Sequence, residues 1–201
     1  MPTLEIVCKR MFSDPSWFIK CIIGALLVLI PIVNFLALGY FYVVIERARR
    51  GEVALFPDWE DWRGLFNTGF VFFVLMLVLF VLPVTIGWVL SLPFGTALGP
   101  FSRLPMIPGL VLGAPLTAAA VYRYQRREEF RNALRIPALW RMIESTRLRL
   151  IVPTLALIGL VFVGIPLLPF VVFTGSAVVF SFYSSVFHHI EETRRMESAR
   201  A

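Results

Sequence analysis

Residues 17–45 read WFIKCIIGALLVLIPIVNFLALGYFYVVI, and how this stretch folds decides the architecture of the chain. It has 29 residues, one charge (Lys20) and one proline (Pro31). A helix rises about 1.5 Å per residue, and the hydrocarbon core of a bilayer is about 30 Å thick. The stretch is therefore long for one crossing and short for two. It reads either as one tilted, proline-kinked span or as a hairpin turning around Pro31–Asn34. Each arm of that hairpin is about 14 residues, or roughly 20 Å.

Three more apolar blocks lie downstream. Gly69–Leu92 and Leu104–Tyr122 each match one span of about 20 residues. Ile151–Phe187 would run to about 55 Å as one helix, too long for a single crossing. It holds Pro166 and Pro169, and proline removes a helix donor and clashes with the preceding turn. A second hairpin over 150–187 is expected, with 188–201 as a tail.

Charge chooses between the two readings of 17–45. The nineteen basic residues fall into four groups and one outlier. They are Lys9, Arg10 and Lys20; Arg47, Arg49, Arg50 and Arg63; eight arginines between 123 and 149; Arg194, Arg195 and Arg200; and Arg103 alone. If both long blocks are hairpins, 18 basic residues share one side and Arg103 faces the other. A single span at 17–45 lowers the split to 15 against 4. The positive-inside bias prefers the hairpin. The expectation is an all-α, polytopic helical membrane protein. It has about six membrane segments, two of them hairpins with short arms, in one membrane domain. Both termini are cytoplasmic and the membrane is the cell inner membrane.

Composition agrees. Apolar residues make up 58% of the 201-residue chain, charged residues 16%, and mean hydropathy is +0.80. These values exclude a disordered chain and an ordinary soluble enzyme. Cys8 and Cys21 form no CxxC pair or Cys/His cluster, so neither a disulfide framework nor a zinc site is expected. Asp14 and Lys20 interrupt any signal-peptide pattern, and no small-residue cleavage site follows. Lys20, near a segment end, is expected to snorkel toward the interface.

The two segments between the blocks carry their own patterns. Trp59, Trp62 and Phe66 fall at i, i+3 and i+7, one helical face, with Asp58, Glu60, Asp61 and Arg63 opposite. An interfacial helix over 53–68 is expected, entered at Pro57 and anchored by those aromatics. The second segment, 126–149, holds Arg126, Arg127, Arg131, Arg135, Arg141, Arg147 and Arg149. With Arg123 just before it, and against three glutamates, it nets +5. Ile136, Trp140 and Ile143 make an apolar stripe, with Trp140 expected as an interfacial anchor, and Pro137 is expected to divide the segment into two helical pieces. A shift of 78 residues superposes Trp62 on Trp140, a repeat visible in hydropathy rather than identity.

Function is less legible. The blocks hold almost no ionisable residue, which counts against ion-coupled transport. His188 and Glu192 lie at i, i+4, yet no third metal ligand is evident. No nucleophile motif, P-loop or H-E-x-x-H appears. The reading is non-enzymatic, with no cofactor and no metal. The arginines of 123–149 are candidates for binding anionic lipid headgroups or a partner membrane protein; the alternative is that they only fix topology. Nucleic acid is not an expected partner, because the neighbouring aromatics are membrane-directed. Small residues mark helix packing: Gly109 and Gly113 with Thr117, and Ala177, Ser181 and Ser185. They serve contacts within the chain or a homo-oligomer. A scaffold or accessory subunit is the first functional expectation, and a passive channel or lipid-translocating pathway the alternative.

One resemblance follows from particular residues. Asp14-Pro15-x-Trp17 with Lys20 and Gly24, Ile30-Pro31-Ile32-Val33, Gly39-Tyr40, Arg50-Gly51, and Pro57-Asp58-Trp59-x-Asp61-Trp62 with Leu65-Phe66 and Gly69 form an ordered run over about 55 residues. The run resembles the family called domain of unknown function 4013, membrane proteins of bacteria and archaea. Beyond Gly69 the likeness is one of hydropathy. The resemblance implies a polytopic helical protein and supplies no activity, cofactor or catalytic residue.

Overall fold

A computed structural model describes residues 3–52, 55–94, 99–146, 150–163 and 167–200. Among them every regular element is helical. In chain order they are α1 (Leu4–Met11), α2 (Trp17–Leu29), α3 (Asn34–Arg49), α4 (Trp62–Met76), α5 (Leu82–Ser91), α6 (Ile107–Arg127), α7 (Phe130–Ala133), α8 (Ile136–Thr146), α9 (Ile151–Val163) and α10 (Leu168–Arg200).

The 17–45 stretch is two helices, not one kinked helix. The break falls at Ile30–Val33, where Ile32 takes a left-handed φ of 73° beside Pro31. Asn34 N–H then bonds Ile30 O and starts α3. The turn expected at Pro166–Pro169 lies partly outside the described residues, but α9 and α10 do run antiparallel across it. Thr154 meets the Tyr183 hydroxyl, and Gly175 faces Leu157.

Among the described residues, three helices are long and apolar enough to cross a membrane: Trp62–Ser91, Phe101–Arg126 and Leu168–Glu197. α2 and Val152–Val161 are apolar but shorter. The expected spans 69–92 and 104–122 are therefore each part of a longer helix. The first begins seven residues early because Asp61, not Pro57, caps it: its Oδ1 accepts the Gly64 N–H at 2.9 Å. The helix continues through a wide π turn, Leu77–Val81, into α5. That turn precedes Pro83, which can neither donate to the ladder nor pack under the carbonyl four residues back. No separate interfacial helix over 53–68 forms: residues 55–61 are irregular, and 53–54 lie outside the described residues.

Glycines set the closest helix contacts. α3 and α4 are antiparallel. A Cβ on Gly39 would stand 1.9 Å from Leu65 O, and one on Gly69 1.7 Å from Phe35 O. Gly109 and Gly113 of α6 do the same against α5 and the π turn, meeting Val84 and Phe80. Gly24 of α2 receives the Phe173 ring of α10. Ala177 and Ser181 are buried, and Ser185 bonds back to Ser181 O. The small-residue stripes are thus taken up by packing inside the chain.

Aromatic rings fill the centre. Phe41 lies 5.1 Å from Phe173 and 5.4 Å from Phe180, while Phe72 is 5.4 Å from Phe180. Such pairs add roughly 1 kcal/mol each beyond the area they bury. Ser184 Oγ donates to Ile45 O, so α3 and α10 run parallel. The outward faces of α5, of the Leu92–Phe94 turn after it and of the 99–106 3-10 turn carry Ile86, Trp88, Leu90, Leu92 and Phe101, all exposed. A surface that apolar suits hydrocarbon rather than water.

Candidate functional site: an arginine-lined cavity

Three helix ends meet at one end of the bundle. Arg49 Nε donates to Gln125 Oε1 at 3.3 Å, joining α3 to α6. Gln125 Nε2 donates to Tyr42 O at 2.8 Å. Tyr122 donates to Glu191 Oε2 at 2.9 Å, and Arg126 pairs with Glu191 Oε1, joining α6 to α10. The basic ends of α3, α6 and α10 therefore lie together, just beyond the apolar part of two long helices.

The chain then folds back over this end. α6 stops where Glu128 adopts a left-handed φ of 53°, its N–H bonding Tyr124 O at 2.7 Å. A single turn, α7, follows. α8 starts at Ile136 with Pro137 second, a position that tolerates proline. The division expected at Pro137 is present. Burial along α8 separates two faces, and Trp140 lies on the outward one, as an interfacial anchor would. Leu139 and Thr146 are buried, whereas Trp140 is 50% exposed and Ile136 also faces out. α8 thus has one apolar face on the protein and a second turned away from it.

Between α6, α7, α8 and α10 lies a cavity of about 460 Å³. It is lined by Arg123, Arg126, Asn132, Arg135, Ala138, Arg141, Met142, Ser145, Phe187, Ile190, Glu191 and Arg194. Five guanidiniums thus face one carboxylate. Arg123 Nε donates to Asn132 O at 3.2 Å, and Arg141 Nε to Pro137 O at 3.3 Å. The first bond ties α6 to α7, and the second holds Arg141 along α8. Glu191 is held from two sides by α6.

Of the eight arginines singled out from sequence, the structure brings four into the cavity: Arg123, Arg126, Arg135 and Arg141. Arg131 is exposed and does not line it. The side chain of Arg127, and all of Arg147 and Arg149, lie outside the described residues. Arg194, Glu191 and Asn132 were not foreseen. Charge clustering alone could have suggested Arg194, but its proximity to Arg126 is a tertiary fact.

A second polar constellation sits around Lys20, which does not snorkel. It is buried, 2.6 Å from Asp14 Oδ2 and 2.9 Å from Asp58 Oδ1, and donates to Phe56 O at 2.9 Å. The Lys20 ammonium, with help from Ser16, holds the Asp14 carboxyl down at about 2. Trp59, expected as an outward anchor on a helix with Trp62 and Phe66, instead turns inward. It stacks on Tyr40 at 4.3 Å, and its Nε1 donates to Lys20 O at 3.1 Å. Its new place follows from the start of α4 at Trp62, which leaves Trp59 in irregular chain. Trp62 and Phe66 remain exposed on α4, Phe66 with its edge on Phe35. Tyr40 donates to Pro57 O at 2.9 Å. Asp14, Lys20, Tyr40, Pro57, Asp58 and Trp59 thus form one clamp that fixes the 55–61 segment.

His188 Nε2 lies 3.2 Å from Glu192 Oε1 and beside Gly51. Among the described residues, no three His, Cys, Asp or Glu side chains gather as a metal site would require. At the opposite end Arg103 joins Trp88, Ser91, Leu92, Ser102 and Met106 around a second hollow.

A family model described as "Protein of unknown function (DUF4013)" matches residues 22–174, well over half of the chain. The match runs far past Gly69, through α6, α8 and α9, so the likeness is not confined to the N-terminal third; Asp14, Trp17 and Lys20 fall just outside it. No curated protein and no solved structure matches the chain. With its helical bundle, its three membrane-length helices and a family match across most of its length, the chain belongs to the DUF4013 family.

Proposed function

We propose that this chain is a multi-pass protein of the cell inner membrane, a non-enzymatic scaffold or accessory subunit that holds anionic lipid headgroups in its arginine-lined cavity. In this reading α2–α3 is a hairpin with short arms, and α9–α10 is a hairpin with one short arm, α9, and one membrane-length arm, α10, giving six membrane segments with both termini cytoplasmic. One observation carries the proposal: five guanidiniums converge on one cavity, against one carboxylate, at the polar ends of two membrane-length helices. Each basic side chain near an anionic surface contributes about 1 kcal/mol, so the cavity favours the anionic leaflet by several. The outward Trp140 and Ile136 support a headgroup-level position for α8, where amphipathic rings settle.

Native mass spectrometry of the full chain, released from mild detergent after extraction from its own membrane, tests the proposal. The expected spectrum shows adducts with the masses of anionic phospholipids that survive activation better than zwitterionic ones. Adducts of both kinds lost at equal energy would count against a headgroup site.

A further inference from the structure

The cavity's charge and shape narrow the ligand class, resting on the lipid reading above. Glu191 already occupies Arg126 and Tyr122. Arg135 and Arg194 stand on different walls, one at the α7–α8 junction and one on α10. Among the described residues neither guanidinium has a hydrogen-bond or ion-pair partner. A guanidinium takes oxygens best two at a time, in a planar fork. A phosphodiester has one charge and two terminal oxygens, enough to satisfy one fork fully. A phosphomonoester has three terminal oxygens and a charge near −2 at neutral pH, its second pKa lying near 6. It can bridge two guanidiniums from opposite walls. The volume, about 460 Å³, falls in the range of organic ligands of about 300–1,000 Å³ and is far larger than one inorganic ion needs. Met142 and Phe187 supply an apolar wall. Both long helices become apolar just below the site.

We infer that the cavity selects a lipid whose headgroup ends in a phosphomonoester, the phosphatidic-acid class, over monoanionic phosphodiester lipids, with Arg135 and Arg194 as the bridging pair.

The test titrates the detergent-solubilised full chain with three probes, followed by calorimetry: dioctanoyl phosphatidic acid, dioctanoyl phosphatidylglycerol and soluble glycerol 3-phosphate. The monoester lipid should bind about tenfold or more tighter than the diester, the equivalent of one extra charge-assisted contact. Glycerol 3-phosphate should bind more weakly than the monoester lipid, because it lacks the acyl stem. The Arg135→Gln/Arg194→Gln double variant should lose the preference, while Arg131→Gln, outside the cavity, keeps it. Both substituted arginines are exposed, and an unchanged melting temperature shows that the fold persists. Arg135→Lys retains charge without the fork and should fall between. Equal affinity for the two lipids overturns the selectivity inferred here but leaves headgroup binding standing. Glycerol 3-phosphate binding as tightly as the lipid makes this a soluble-phosphate site and overturns the lipid assignment. No binding of either lipid removes both the selectivity and the function on which it rests.

Discussion

Replacing Gly69 with alanine should destabilise the bundle sharply, while the same replacement at Gly159 should not. At Gly69 the new Cβ would lie 1.7 Å from Phe35 O, with Gly39 N only 2.8 Å away. A carbon and a carbonyl oxygen normally stay about 3.3 Å apart or more. α3 and α4 would have to separate by about 1.5 Å, and both obstacles are backbone, which cannot swing aside. Overpacking of this kind costs about 1–3 kcal/mol, and occasionally more. The backbone-on-backbone geometry puts Gly69→Ala near the top of that range. Alanine's better helix propensity returns at most about 1 kcal/mol. The net loss is roughly 2–3 kcal/mol. At Gly159 of α9 nothing lies within 4 Å of a built Cβ. Only the propensity term acts there, so a gain of about 0.5–1 kcal/mol is expected. Far-UV circular dichroism melts of both variants in the same detergent measure the contrast. For a chain of this size the two midpoints should separate by roughly 5–15 °C. Midpoints that coincide would refute the close-approach account of the α3–α4 crossing.

Other consequences are open to the same treatment. Lys20→Met removes three polar contacts and strands the Asp14 carboxylate, costing about 2–3 kcal/mol. Maleimide labelling of the neighbouring buried Cys21 should then speed up about 30-fold or more, and an unchanged rate would argue against the clamp. Because the Asp14 carboxyl is held at about 2, below its unfolded value near 3.9, its stabilisation is complete above about pH 4 and is lost as pH falls toward 2. Melts between pH 6 and pH 2 should show that loss in the wild type and a smaller one in Asp14→Asn. Trp59→Ala should cost about 3 kcal/mol, the low end for losing a large ring, since it removes a half-buried ring stacked on Tyr40 and a part-buried indole bond. Trp140→Ala, at an exposed ring, should leave the melting temperature nearly unchanged.

Hydropathy and length were enough for the helical class and for the general location of the long helices, while the break near Pro31 was chosen by the distribution of basic residues. The arginine cluster was visible too, because clustering along the chain needs no tertiary information. The failures are tertiary. Lys20 read as a snorkelling residue because one of its partners, Asp58, is 38 positions away and belongs to an irregular segment that no periodicity marks. Trp59, Trp62 and Phe66 fit one helical face, but Asp58 and Asp61 could both cap a helix. The competition is settled by the Lys20 salt bridge, which engages Asp58 and leaves Asp61 to begin α4. The cavity needed α10 to bring Glu191 and Arg194 against Arg126, some 65 residues earlier in the chain. No local pattern encodes that meeting.

The central claim, that a phospholipid headgroup occupies the arginine-lined cavity, is tested most directly by photocrosslinking in the native membrane. A diazirine amino acid placed at Ser145, on the cavity wall, should capture an anionic phospholipid after irradiation; the same group at Arg131, outside it, should not. A lipid adduct at 145 that is depleted by Arg135→Gln/Arg194→Gln is the result this account predicts. Absence of a lipid adduct at 145, or equal capture at 131, would contradict it.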